Sequence, residues 1–142
     1  MEPVAALREL AVFYHPELAG RIFAGELPDL LPETGIERYD AILLSAVIMH
    51  IPDAELPGAA AAIRARLALS GTLLISFSVG RGDVAAGAER DAAGRLMLVR
   101  PAGRIRLLFE RLGFSAVGEW ESADGLGRPD VSWQTLCFRY DG

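Results

Sequence analysis

The chain's 142 residues, 51% hydrophobic and 23% charged, suit a single folded domain and exclude a disordered segment. A net charge of −5 disfavours nucleic acid as a partner. No apolar run nears the ~20 residues of a membrane-spanning helix, so the expectation is a cytoplasmic chain with no membrane partner. All 14 basic residues are arginine, which removes lysine Schiff-base chemistry and a P-loop lysine; one cysteine, Cys137, and two histidines leave no disulfide and no metal site to expect.

Helical spacing of Leu7, Leu10, Ala11 and Tyr14 predicts a helix from Val4 to His15, stopped by Pro16. Arg21–Ala24 reads as a short strand ended by Gly25, and 27–35, with Pro28 and Pro32, reads as loop. The run from Tyr39 to Met49 is apolar without alternation. Its first part predicts a strand buried on both faces, and the part after Ser45 a turn leading away. Asp53 is placed to cap the next helix, with Pro57 in its first turn, alanines running to Leu69 and Gly71 at its end. Thr72–Ser78 is a second buried strand. Residues 79–100 hold Gly80, Gly82, Gly87 and Gly94 among charges and predict a long excursion of the functional kind.

Pro101 opens an amphipathic helix with Ile105, Leu108, Phe109 and Leu112 on one face and Gly113 as its stop. Strands are predicted at 114–121 and 133–140, joined by a turn-rich 124–130. This order is α/β, with a parallel sheet finishing in a hairpin-like pair.

Four segments in this order resemble those of class I S-adenosylmethionine-dependent methyltransferases. Tyr39-Asp40-Ala41-Ile42-Leu43-Leu44-Ser45 through His50-Ile51-Pro52 is similar to the family's fourth strand and the stretch after it. Leu67-Ala68-Leu69-Ser70-Gly71-Thr72 resembles the turn before its fifth strand, with Ser70-Gly71 where Pro-Gly-Gly is common. Leu107 to Phe114 resembles the late helix and the strand after it, and Trp133–Arg139 the last strand. The resemblance implies a Rossmann-like, mostly parallel sheet with an antiparallel last strand. It aligns Met1-Glu2-Pro3 with the end of the family's second strand, so the implied domain over 1–142 lacks the first strand and its glycine-rich turn. Gly80-Arg81-Gly82-Asp83 opens no clear helix and does not replace that turn.

The resemblance implies S-adenosylmethionine as cofactor and a small-molecule methyl acceptor, with 79–100 on the acceptor side. Glu2 stands where a carboxylate accepts from the ribose hydroxyls. Glu26 and the backbone N–H of Leu27 stand near the adenine, and Ser45 near the methionine end. His50 is the candidate catalytic base, since an imidazole can take the proton released from a methylated hydroxyl or amine. In-line transfer from a sulfonium draws on orientation and desolvation and needs neither nucleophile nor metal. A chain without the glycine-rich turn need not be active alone. The alternative is a non-catalytic or partner-completed α/β module, with self-association through an exposed sheet edge at Ala41–Leu44. A nicotinamide enzyme is the third reading, set back by the absent glycine fingerprint.

Overall fold

The computed structural model describes residues 1–29, 38–82, 84, 85, 88–128 and 130–142. Helix α1 (Ala5–Tyr14) ends as predicted, with the His15 N–H donated to the Ala11 carbonyl at 2.8 Å and a 3-10 turn starting at Pro16. It buries no residue, and its apolar Leu7, Leu10 and Tyr14 stay exposed. The strand expected at Arg21–Ala24 does not form. A strand persists only when a neighbour takes up its backbone groups. Here the Glu2 N–H reaching the Phe23 carbonyl at 3.1 Å is the interstrand-like bond found there among the described residues.

Strand β1 (Tyr39–Ser45) pairs in parallel with β2 (Leu67–Arg81), from Ala41 opposite Thr72 to Ser45 opposite Ser76. Between them lie a 3-10 turn at Ile48–His50 and helix α2 (Leu56–Arg66), which carries Pro57 in its first turn as expected. After β2 and the 82–101 excursion come α3 (Ala102–Glu110), β3 (Phe114–Ala123) and β4 (Val131–Tyr140). The sheet order is β1-β2-β4-β3. The last strand is antiparallel, as expected, but the sheet is mixed rather than mostly parallel: of the three ladders among the described residues only β1·β2 is parallel. The hairpin return of β4 lies between β2 and β3 and makes both of its ladders antiparallel, while residues 21–24 add none.

Two local expectations are corrected. Asp53 does not cap α2; Glu55 occupies that position without a side-chain bond, and Asp53 instead meets Arg100 and Arg104. Gly71 does not end a helix, because α2 stops at Arg66 and β2 follows directly. Gly71 sits where the β1·β2 ladder resumes after an interruption between Tyr39 and Ala41. A Cβ there would lie 2.8 Å from the Ala68 carbonyl oxygen and 3.1 Å from that of Asp40, so only glycine permits the approach.

One face of the sheet holds the core. Leu73, Ile75 and Phe77 of β2 and Leu136 and Phe138 of β4 pack beneath Ala59, Ala60 and Ile63 of α2 and Ile105 and Phe109 of α3. Phe109 lies 5.4 Å from both Phe114 and Phe138, in edge and tilted contacts. The other face is open along β1. Leu44 is buried, but Leu43 is 66% exposed and Ser45 is exposed, so β1 is not covered on both sides. Among the described residues β1 and β3 are the sheet edges, which puts Ala41–Leu44 on an edge strand.

Candidate functional site

In an open α/β sheet the ligand crevice lies outside the carboxyl ends of the parallel strands, where the chain turns away from the sheet. That point is the end of β1. Ser45 closes the strand in register with Ser76, and Ala46 follows at φ +56, a left-handed conformation that alanine adopts at a cost of about 1 kcal/mol. The Ala46 N–H donates to the Ser76 carbonyl at 2.9 Å and holds this bend against β2. Val47 leads into the 3-10 turn, whose Ile48 and Met49 enter the core while His50 stays exposed.

The distal part of the excursion clamps this turn. His50 Nδ1 bonds the Leu96 carbonyl at 2.6 Å, and the Leu98 N–H donates to the Met49 carbonyl at 2.9 Å. Arg100, 3% exposed, donates to the carbonyls of Ile48 at 2.7 Å and Ile51 at 2.5 Å, and through Nε to Asp53 at 2.8 Å. A guanidinium suits this place because its planar fork satisfies several acceptors at once. Hydrogen bonding from Arg100, followed by that from Arg104, holds the Asp53 carboxyl below its ordinary range against the opposing effect of burial. The proximal part of the excursion is knotted separately: Asp91 accepts from the N–H groups of Ala93 and Arg95 and pairs with the Arg95 side chain.

The other predicted site residues lie across the chain's first segment. Glu2 is next to Phe23 through the backbone bond above, three residues before Glu26, and its Oε1 accepts from the Val4 N–H at 2.9 Å at the start of α1. Glu26 is exposed, and Leu27 packs partly against the core. Ser45 was expected to be a polar group inside a buried run; its exposure removes that constraint and leaves its hydroxyl facing out. Gly82 donates its N–H to the Asp130 carbonyl at 3.0 Å, and a Cβ on it would strike the Asp130 side chain. This glycine therefore serves the junction of β2 with the hairpin. Asp83 lies outside the described residues.

Sequence reasoning missed Arg100 and the Leu96 carbonyl, and gave Asp53 the different role of a helix cap. Arg100 bonds a carboxylate 47 positions away, and nothing in a scatter of arginines marks such a pair. Asp124, which accepts from Arg128 and Trp133, builds the β3–β4 turn. An open depression of about 630 Å³ lies beside that hairpin, lined by Glu121, Ser122, Asp130 and Ser132 among others. Among the described residues no group of acidic, histidine or cysteine side chains is placed to hold a metal ion, and no helix is long and apolar enough to cross a membrane.

No family model and no curated protein matches the sequence. Solved structures do match the fold. The 1,6-didemethyltoxoflavin-N1-methyltransferase of Burkholderia thailandensis, solved with 1,6-didemethyltoxoflavin and S-adenosylhomocysteine, superposes with a TM-score of 0.69 at 19% identity. That match covers 100% of this chain and 59% of the other. The N-methyltransferase NodS of Bradyrhizobium japonicum WM9, in complex with S-adenosylhomocysteine, matches at 0.62 and 16% identity, over 93% of this chain and 62% of its own. The [4+2]-cyclase SpnF matches at 0.63 and 15%, over 96% and 61%. The chain thus matches class I S-adenosylmethionine-dependent methyltransferases in fold and spans about three fifths of the length of these proteins.

Proposed function

We propose that this chain carries the acceptor side of an S-adenosylmethionine-dependent methyl-transfer site acting on a small molecule, centred on the end of β1. The observation that carries this reading is the superposition of the whole chain, with its β1-β2-β4-β3 sheet, on structures that hold S-adenosylhomocysteine. On this reading the nucleoside part of such a cofactor is met by groups of the first segment and the end of β1. Glu26 and the Leu27 N–H offer an acceptor and a donor for an adenine edge, Glu2 carries a carboxylate for ribose hydroxyls, and Ser45 turns a hydroxyl outward. For a carboxylate they fit poorly, because the N–H of Ala46 is given to Ser76 and that of Gly82 to Asp130.

When bound, S-adenosylmethionine supplies an electrophilic methyl group on a sulfonium. The chain's own contribution is His50, which takes the proton from an acceptor O–H or N–H as that atom is methylated. The clamped 96–100 segment forms the wall on the acceptor side. Fold alone does not choose the reaction, and a [4+2]-cyclase shares this one.

A second reading has its own observations. The place of β1 at the sheet edge among the described residues, the exposed Leu43 and an α1 with no buried residue favour a module completed by another polypeptide. Isothermal titration of the purified chain with S-adenosylmethionine and S-adenosylhomocysteine separates the two. The methyl-transfer reading expects micromolar binding, weakened about tenfold by Glu26→Ala, roughly the loss of one hydrogen bond. No heat at millimolar ligand overturns it and leaves the completed-module reading.

A further inference from the structure

The bond from His50 Nδ1 to the Leu96 carbonyl determines which ring nitrogen can act as a base. A carbonyl oxygen only accepts, so Nδ1 must carry the proton. The neutral ring then has its lone pair on Nε2, for which no partner exists among the described residues, on a side chain that remains exposed. A histidine side chain in water favours the opposite, Nε2–H tautomer, so this arrangement has to be imposed. The imposing element is visible. Leu96 begins a five-residue segment in which Leu98 is tied to Met49, and the buried Arg100 grips the carbonyls on either side of His50, at Ile48 and Ile51. Turn and segment are thereby held in one register, and the 2.6 Å bond is its consequence.

We infer that residues 96–100 are the positioning element of the site: the Leu96 carbonyl, kept in register by Arg100, locks His50 in the Nδ1–H tautomer and reserves Nε2 as the proton acceptor at the end of β1. Arg100 acts through His50 and is a positioning residue. The inference deepens the methyl-transfer reading and rests on it for the base's purpose, though not for the tautomer. It restricts the acceptor to a group that loses a proton on methylation, a hydroxyl or an N–H, which becomes an ether or a substituted amine while Nε2–H⁺ forms. A thioether acceptor would have no use for it.

The test is nitrogen NMR of the intact chain labelled with ¹⁵N-histidine, with His15→Gln used to assign the two rings. At alkaline pH the wild-type His50 is expected to show a protonated Nδ1 and an unprotonated Nε2. An Nε2–H pattern in the wild type overturns the inference by itself. Arg100→Lys replaces the planar fork by a point charge that does not fix the two carbonyls in one geometry, and is expected to return His50 toward the water-like tautomer mixture; an unchanged pattern in a folded Arg100→Lys chain overturns the role given to Arg100. Should Arg100→Lys fail to fold, Leu98→Pro, which deletes the N–H bonded to Met49, replaces it with the same expected shift. Absence of S-adenosylmethionine binding would remove the methyl-transfer reading and leave the tautomer result standing, so the two failures are distinguishable.

Discussion

Arg100→Met removes the guanidinium while keeping most of the apolar stem, and so isolates what the charged fork does. The wild-type group bonds two carbonyls, those of Ile48 and Ile51, that the substitution leaves without a partner. Hydrogen bonds to a charged donor contribute about 1.5–3 kcal/mol each. The third bond, to Asp53, adds less, because that carboxylate is 51% exposed and rehydrates when released; an exposed pair contributes about 0–1 kcal/mol. With some water entering beside the carbonyls, the net loss is about 3 kcal/mol. For a chain of this size that lowers Tm by about 10 °C. Differential scanning calorimetry at neutral pH measures it, with Asp53→Asn alongside. The asparagine variant should fall by no more than about 3 °C, since it touches only the exposed end of the cluster. A loss below about 3 °C for Arg100→Met, or equal losses for the two variants, would refute the view that the carbonyl bonds and not the ion pair hold the turn.

Gly71→Ala should destabilise the chain by several kcal/mol, about 2–4, because the new Cβ meets the Ala68 and Asp40 carbonyls and the β1·β2 ladder must shift; urea unfolding reads this as a lower midpoint. Asp124 is held well below its ordinary 3.8 by bonds from Arg128 first and Trp133 second. A carboxyl whose folded pKa is depressed stabilises the fold above its unfolded pKa and loses that contribution as pH falls. The unfolding midpoint of the wild type should therefore drop below about pH 4 more steeply than that of Asp124→Asn, which parallel urea titrations would show. Through the β1 edge strand with its exposed Leu43, the wild type should self-associate as concentration rises, and Leu43→Lys should reduce that association in light scattering while changing stability by less than about 0.5 kcal/mol.

Much of the fold was legible because the segments concerned are decided locally. Tyr39–Ser45 came out as a strand from its apolar run, and α3 followed Pro101 and stopped before Gly113 as its spacing required. The expected strands at 114–121 and 133–140 are found at Phe114–Ala123 and Val131–Tyr140, longer because the hairpin ladder continues to Ala123 opposite Ser132. What failed depended on partners far along the chain. Arg21–Ala24 has strand-like residues, but no described ladder receives it. The β1 run reads as doubly buried, yet whether its second face is covered is set by other elements, and Leu43 and Ser45 are exposed. Asp53 has the chemistry of a helix cap, and a buried arginine 47 residues later claims it instead. For the candidate site, the place of His50 after β1 is what the sequence offers. Its tautomer could not, because that depends on a backbone carbonyl 46 residues away.

The central claim, a nucleoside-type ligand held at the end of β1 with His50 beside it, is tested most directly by amide shift mapping. S-adenosylhomocysteine is titrated into the ¹⁵N-labelled chain and the perturbed residues are located. The account predicts saturable shifts concentrated at Glu26, Leu27 and Ser45–His50, extending to Leu96–Arg100. Shifts confined to the β3–β4 hairpin, or none at millimolar ligand, would contradict it.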